Sequence, residues 1–140
     1  KESSVMMSWL EKKTIENPSD IDSWTKLGDL YFDSNNYDKA INAYNKSLKL
    51  KPDNPDVLTD LGVMYQRMGN PDSAIKSFDK AIEINPRHET SRFNKGIVLL
   101  HDLNDREAAL KAWEELLKIN PDAKTSGGQL VSDLVKQLKK

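Results

Sequence analysis

The side chains best suited to acid–base or metal chemistry in this 140-residue chain are its two histidines, His88 and His101. No cysteine and no third histidine stands near either at ligand spacing, so no metal site is expected. His88 is expected in a solvated turn. Carboxylates are plentiful, but they sit beside lysines: Asp38 with Lys39, Asp79 with Lys80, Glu114 and Glu115 before Lys118. Charge runs of this kind make solvated helix surface rather than a catalytic pair. Gly69 and Gly127-Gly128 lack the flanking pattern of a phosphate-cradling loop. The sequence therefore predicts no catalytic residue, no cofactor and no small-molecule substrate.

What the chain does carry is a repeated pattern of sizes. Trp24, Leu27-Gly28, Tyr31, Ala40, Tyr44 and Pro52 recur 34 positions later as Leu58, Leu61-Gly62, Tyr65, Ala74, Phe78 and Pro86. Gly62 recurs after a further 34 as Gly96, whereas Ala74, Phe78 and Pro86 recur after 35 as Ala109, Trp113 and Pro121. One residue is inserted between Gly96 and Ala109, and the turn HDLNDREA is the expected place. Trp24, Leu27, Gly28 and Tyr31 fall at i, i+3, i+4 and i+7, one face of a helix; Ala40, Ile41, Tyr44, Ser47 and Leu48 repeat that spacing. Each proline then stops a helix. A glycine inside a helix costs about 1 kcal/mol relative to alanine, so three of them at one register require a close approach. Gly28 against Ala40, Gly62 against Ala74 and Gly96 against Ala109 are the expected contacts.

These residues make the chain resemble the tetratricopeptide repeat family, in three units in register. The third unit departs at Arg92, Lys95 and Leu99, where the pattern prefers apolar or aromatic residues. The resemblance implies an all-α fold, a right-handed α-solenoid of antiparallel helix pairs. The division is 1–18, an N-terminal helix or half repeat; 21–54, 55–88 and 89–123, the three repeats; and 126–140, a C-terminal capping helix.

The flanks follow from the same register. Lys1–Asn17 reads as the second helix of an incomplete unit, because Pro18 lies 34 before Pro52. Val5, Met6, Trp9, Leu10 and the Lys13 stem make one face of it, which predicts a cap over Trp24 and Tyr31. An amphipathic membrane contact through Met6, Met7, Trp9 and Leu10, or a helix docked on a neighbouring protomer, are the other readings; a homodimer through this helix is the second. Ser19 or Asp20, and Asp53 or Asn54, cap the helices that follow. Thr125-Ser126-Gly127-Gly128 reads as a flexible break. Leu130, Val131, Leu134, Val135 and Leu138 then form an apolar stripe, read as the helix that covers the last exposed face. A tail that leaves the body to bind a partner is the rival.

Composition excludes other classes. Twenty-one basic and 22 acidic residues leave a net charge of −1, without the excess that nucleic acid or an anionic membrane attracts. Helical RNA readers of similar period need basic grooves, which Asp22, Asp29 and Asp33 oppose. No apolar run approaches the roughly 20 residues of a membrane span. The chain begins at Lys1, not Met, which predicts an upstream segment. The resemblance implies a soluble domain, cytoplasmic or belonging to a membrane-anchored bacterial protein.

The resemblance also implies a concave groove lined by the first helices, binding a peptide or helix of a partner protein. The face left free by core packing, one residue step or about 100° away, predicts its lining. It carries Asp22, Thr25, Asp29, Phe32 and Asp33, then Asp56, Thr59, Val63, Gln66 and Arg67, then Phe93, Asn94, Ile97, Leu100 and His101. Family members that grip a C-terminal carboxylate use Lys, Asn and Arg at matching positions. Thr25, Asp29 and Thr90 stand there instead, with only Asn94 and Arg67 of the right kind, so no such clamp is implied. The expected ligand has a basic part near the first unit and an apolar anchor near Phe93, Ile97 and Leu100, unless the C-terminal helix covers them. Self-association through the terminal helices is the alternative function.

Overall fold

The structure, a computed structural model, describes residues 2–140; Lys1, the first residue of the expected N-terminal helix, lies outside them. Among the described residues eight α-helices follow one another: α1 (Glu2–Glu16), α2 (Ile21–Asp33), α3 (Tyr37–Leu50), α4 (Pro55–Arg67), α5 (Pro71–Ile84), α6 (Glu89–Ile97), α7 (Arg106–Ile119) and α8 (Val131–Leu138). A π-turn, Val98–Asp102, extends α6. Each unit is a packed pair, α2 with α3, α4 with α5, α6 with α7, and each pair packs on the next. The chain is an all-α solenoid.

The helix starts are fixed by capping side chains. Asp20 accepts from the Ser23 amide at 3.2 Å, Asn54 from Val57 at 3.2 Å, Asn70 from Ser73 at 3.3 Å and Asp105 from Ala108 at 3.1 Å. Pro55 and Pro71 occupy the first turn, where a missing N–H is no loss. The turn after each first helix is set by one left-handed residue: Asn35 (φ 60°), Gly69 (φ 80°) and Asn104 (φ 52°).

That series locates the inserted residue. Gly69 follows Asn35 by 34, and Asn104 follows Gly69 by 35, so the insertion precedes Asn104. It falls between Leu99 and Asn104, where the π-turn overlaps the start of the HDLNDREA segment expected to hold it. In the first two units the turn is closed by Asn36 N–H on Tyr31 C=O (2.8 Å) and Asn70 N–H on Tyr65 C=O (2.9 Å). In the third it is Asp105 N–H on Leu99 C=O (2.7 Å), one residue wider. The π-turn absorbs the extra residue and leaves the turn chemistry unchanged.

The glycines meet rings rather than the alanines expected. A Cβ on Gly28 would stand 2.6 Å from the Tyr44 ring, and one on Gly62 2.5 Å from Phe78; on Gly96 it would run into the Trp113 indole. The alanines are also fully buried, but the aromatic one turn later is what reaches across.

The polar departures of the third unit are satisfied by specific bonds. Trp24 Nε1 donates to Pro18 C=O at 2.8 Å, and Arg92 Nε donates to Pro86 C=O at 2.8 Å, the same relation 68 residues on. Arg92 also reaches Glu115 at 3.4 Å, and Lys95 pairs with Asp79 of α5 at 2.7 Å. Arginine thus reproduces the indole's hydrogen bond while spreading its stem over the apolar surface.

At the N-terminus the expected single apolar face is split. Leu10 is buried and Met7 partly so, in a cluster with Leu27, Tyr31 and Trp24, and the Tyr31 hydroxyl donates to Glu11. Val5, Met6 and Trp9 point away and are exposed. At the other end, Thr125–Gly128 is a closed turn, not a flexible break. Thr125 N–H donates to Gln129 C=O at 2.8 Å, Gly128 N–H to Thr125 C=O at 2.9 Å, and Val131 N–H to Ala123 C=O at 2.9 Å. Gly128 supplies the positive φ of 85° that this turn needs. Val131 and Val135 are then buried with Trp113, Leu116 and Ala123, as a cap requires.

Candidate protein-interaction groove

The first helices α2, α4 and α6 are joined side by side by three polar contacts. His88 is the first. Its Nδ1 accepts from the Ser91 amide at 3.3 Å, capping α6, so in the neutral ring Nε2 bears the hydrogen and donates to Asp56 of α4 at 2.8 Å. His88 is therefore half-buried and structural, not a solvated turn residue; its neighbours Arg87 and Glu89 carry the exposure there. The second contact is Arg67, whose guanidinium lies 4.9 Å from the centre of the Phe32 ring. The third is Gln66, which donates to Asp102 at 2.9 Å.

The charge on this face is negative around the first two units. Asp29, Phe32, Asp33, Tyr44 and Asp60 line a shallow depression of about 300 Å³. Tyr44 Oη donates to Asp29 at 2.7 Å, and burial with that carboxylate raises the phenol's pKa. Burial also pushes Asp60 up to about 6; repulsion from Asp29, Asp56 and Asp33 adds to the rise, and His88 opposes it.

The structure divides the residues predicted from sequence. Asp22, Asp29, Asp33 and Arg67 are exposed, and Phe32 and Gln66 half-buried. Thr25 is half-buried; its hydroxyl donates to Ile21 C=O at 3.1 Å and lies 2.7 Å from the Ser47 hydroxyl. Thr59 is buried and donates to Pro55 C=O at 2.7 Å, on α4, which packs against α6. Val63 is half-buried and packs both against the cluster of Leu27, Tyr31 and Leu61 and against that of Ala74, Phe78 and Val98. Phe93 stacks on Trp113 with centroids 5.6 Å apart, and Phe93, Ile97 and Leu100 join the cluster that holds α8. They form no open apolar patch. Beside them lies a cavity of about 300 Å³ lined by Thr90, Phe93, Asn94, Leu116, Ala123 and Thr125. His101 is exposed, and among the described residues no group of His, Asp or Glu side chains is arranged to hold a metal ion.

Two residues were missed. Asp60 shares its register with Asn94, 34 positions on, so that comparison could have found it. Asp102 could not be found that way. Arg67 meets Phe32 across an offset of 35, and Asp102 meets Gln66 across 36, so the π-turn brings Asp102 rather than His101 to the place equivalent to Arg67.

Residues 28–69 match a family model described as TPR repeat, and residues 55–88 and 90–123 match models described as Tetratricopeptide repeat. No curated protein matches the chain in sequence at a significant level. Among solved structures, "Crystal structure of MamA" is 22% identical over 83% of this chain and 67% of that one, with a TM-score of 0.77. "First TPR of Spaghetti (RPAP3) bound to HSP90 peptide SRMEEVD" is 22% identical over 85% and 92%, with a TM-score of 0.73. The Sgt2 TPR domain from Aspergillus fumigatus is 20% identical over 85% and 76%, with a TM-score of 0.74. These likenesses show the same fold. Among the described residues no helix is long and apolar enough to cross a membrane. With three matched stretches between residues 28 and 123 and every unit built on the same glycine-to-ring contact, the chain belongs to the tetratricopeptide repeat family.

Proposed function

We propose that the chain is a protein-interaction module that holds a basic segment of a partner protein along α2 and α4, with an apolar side chain of that segment anchored beside Phe93. The observation that carries this is the convergence of Asp29, Asp33, Asp56 and Asp60 from two units on one face; burial pushes Asp60 up to about 6, and repulsion from the other three carboxylates adds to the rise. Carboxylates so crowded gain when a Lys or Arg is brought between them. The similar RPAP3 repeat was solved with the peptide SRMEEVD, which is acidic, so a shared fold does not carry a shared ligand here. The anchor's place is the cavity of Thr90, Phe93, Asn94 and Leu116. Anchors supply most binding energy, while exposed charges set on-rate and salt dependence.

The test is capture of partners from extract by the parent and by a variant carrying Asp29→Asn, Asp33→Asn and Asp60→Asn. Partners lost by the variant and retained on a Lys136→Ala control support the reading. The same partners recovered equally by both would move binding off this face. A second reading, assembly of copies through α1, is favoured by the apolar side chains that α1 leaves exposed.

A further inference from the structure

The gap between α3 and α5 is a cavity of about 580 Å³, floored by Leu58, Leu61 and Tyr65 of α4. Leu48 and Ile84 add an apolar rim, and Ile84 is 40% exposed. Both walls belong to complete helix pairs, α2 with α3 and α4 with α5, so the opening is internal to the array. The walls carry Lys49 of α3 and Lys76 and Lys80 of α5, all exposed. Lys49 stands at the end of α3 near Asp53, and Glu83 at the end of α5, and both of these carboxylates also line the cavity. The positive charge left unbalanced is that of Lys76 and Lys80, one turn apart on α5.

The next gap, between α5 and α7, has the same construction in the repeat register, and there the chain supplies its own filling. Leu58, Leu61 and Tyr65 become Arg92, Lys95 and Leu99, 34 positions on. Asn45 becomes Asp79, and Lys80 becomes Glu115 across the offset of 35. Lys95 on the floor pairs with Asp79 on one wall at 2.7 Å, and Arg92 with Glu115 on the other at 3.4 Å. Cations on the floor thus bridge to carboxylates on both walls. In the second unit the leucines of the floor offer nothing to bridge with. Among the described residues Lys49, Lys76 and Lys80 make no ion pair.

We infer that this cavity takes an acidic segment of a partner protein, with an apolar side chain of that segment laid on Leu58 and Tyr65 and its carboxylates on Lys76 and Lys80. Charge complementarity selects the occupant. Where the chain fills such a gap, filling and wall carry opposite charges; here the wall carries ammonium groups, so the filling carries carboxylates. Leu58 and Leu61 have no polar side-chain atom, so the part of the segment that reaches them is apolar. The inference does not rest on the groove, with which this cavity shares no residue.

The test is an amide NMR titration of the chain with a short end-blocked peptide of glutamates around a single leucine, beside one of lysines around a single leucine. The glutamate peptide should shift the signals of Leu58, Tyr65, Ser73 and Ser77, which line the cavity. Its Kd should rise about tenfold or more when Lys76→Glu and Lys80→Glu are combined, two exposed changes that leave the core alone. Leu58→Arg with Lys80→Glu builds into the second unit the bridge that the third already has, and should abolish the shifts. Leu58 is buried, so if this variant does not fold, the double lysine reversal decides alone. No shift at these residues up to millimolar peptide, or equal shifts from the lysine peptide, would overturn the inference. So would equal shifts at Arg92, Lys95 and Leu99, where the gap is already bridged.

Discussion

The Gly62 backbone lies directly under the Phe78 ring: a Cβ added there would be 2.5 Å from Cε1 and 2.8 Å from Cδ1. Phe78 is completely buried and has no room to swing aside. Gly62→Ala would gain about 1 kcal/mol of helix propensity and lose more to the overlap, since overpacking costs about 1–3 kcal/mol. Calorimetric melting should therefore fall for Gly62→Ala and further for Gly62→Leu. Equal melting of parent and Gly62→Leu would mean the ring does not sit where described.

This contact shows what the sequence made legible and what it hid. The spacing of Gly28, Gly62 and Gly96 announces a close approach, and the 34-residue period announces the helix pairs, because both are local rules repeated three times. Which residue closes on the glycine was misread, since a side chain reaches over a turn of its own helix and the aromatic outreaches the alanine. The third-unit departures looked like polar residues in an apolar stripe. Arg92 in fact repeats the Trp24 hydrogen bond, an equivalence between unlike side chains that residue type conceals. For the proposed groove, register alone puts forward Asp29, Asp33 and Arg67, while the place of Asp102 depends on where a helix widens into a π-turn. That is a backbone choice no residue spacing states.

The carboxyl of Asp60 makes stability pH-dependent in a defined direction. Its pKa is raised in the fold from an ordinary 3.8 to about 6, so between those values the folded chain holds the proton and the unfolded chain does not. The group thus lowers stability as pH rises from about 4 to 6, and the full penalty is present at neutral pH. Asp60→Asn removes it. The variant should be more stable than the parent at pH 7, by about 1–2 kcal/mol, and the difference should vanish near pH 4. Denaturant titrations at both pH values decide this; a variant less stable than the parent at pH 7 contradicts it.

His88 holds two units together with one ring. Replacing it by alanine removes the cap on α6 and the bond to Asp56, and should cost about 1 kcal/mol. His88→Asn should recover much of the loss, because an amide oxygen caps a helix as well. If His88→Asn melts with His88→Ala, the cap is not what the ring contributes.

Removing Lys124–Lys140 uncovers Trp113, Leu116 and the side chains packed with them, which α8 and its closed turn now cover. A solenoid end without a polar outer face loses solubility and frays. The truncated chain should melt earlier and aggregate at concentrations where the parent does not. Val131→Asp, a charge placed at a fully buried position, should reproduce the instability without shortening the chain. An unchanged melt for both would show that α8 is an appendage.

The groove we propose has a charged part and an anchoring part, and one substitution addresses each without touching the core. Asp33 is exposed, so Asp33→Asn alters charge and little else. Thr90 is exposed at the start of α6 and lines the cavity beside Phe93, so Thr90→Trp fills that cavity while leaving the Phe93–Trp113 stack in place. Once a partner is captured, its binding segment can be titrated by fluorescence anisotropy at several salt concentrations. Exposed charges act mainly on encounter and are screened within a Debye length of about 10 Å at 0.1 M salt. Asp33→Asn should therefore flatten the salt dependence and change Kd less than about threefold at high salt. Thr90→Trp should raise Kd about tenfold or more at every salt concentration, because it excludes the apolar anchor that carries most of the energy. Tight binding preserved in Thr90→Trp would place the anchor elsewhere. A salt slope identical in Asp33→Asn would mean the ligand's basic residues never approach the acidic wall of Asp29, Asp33 and Asp60.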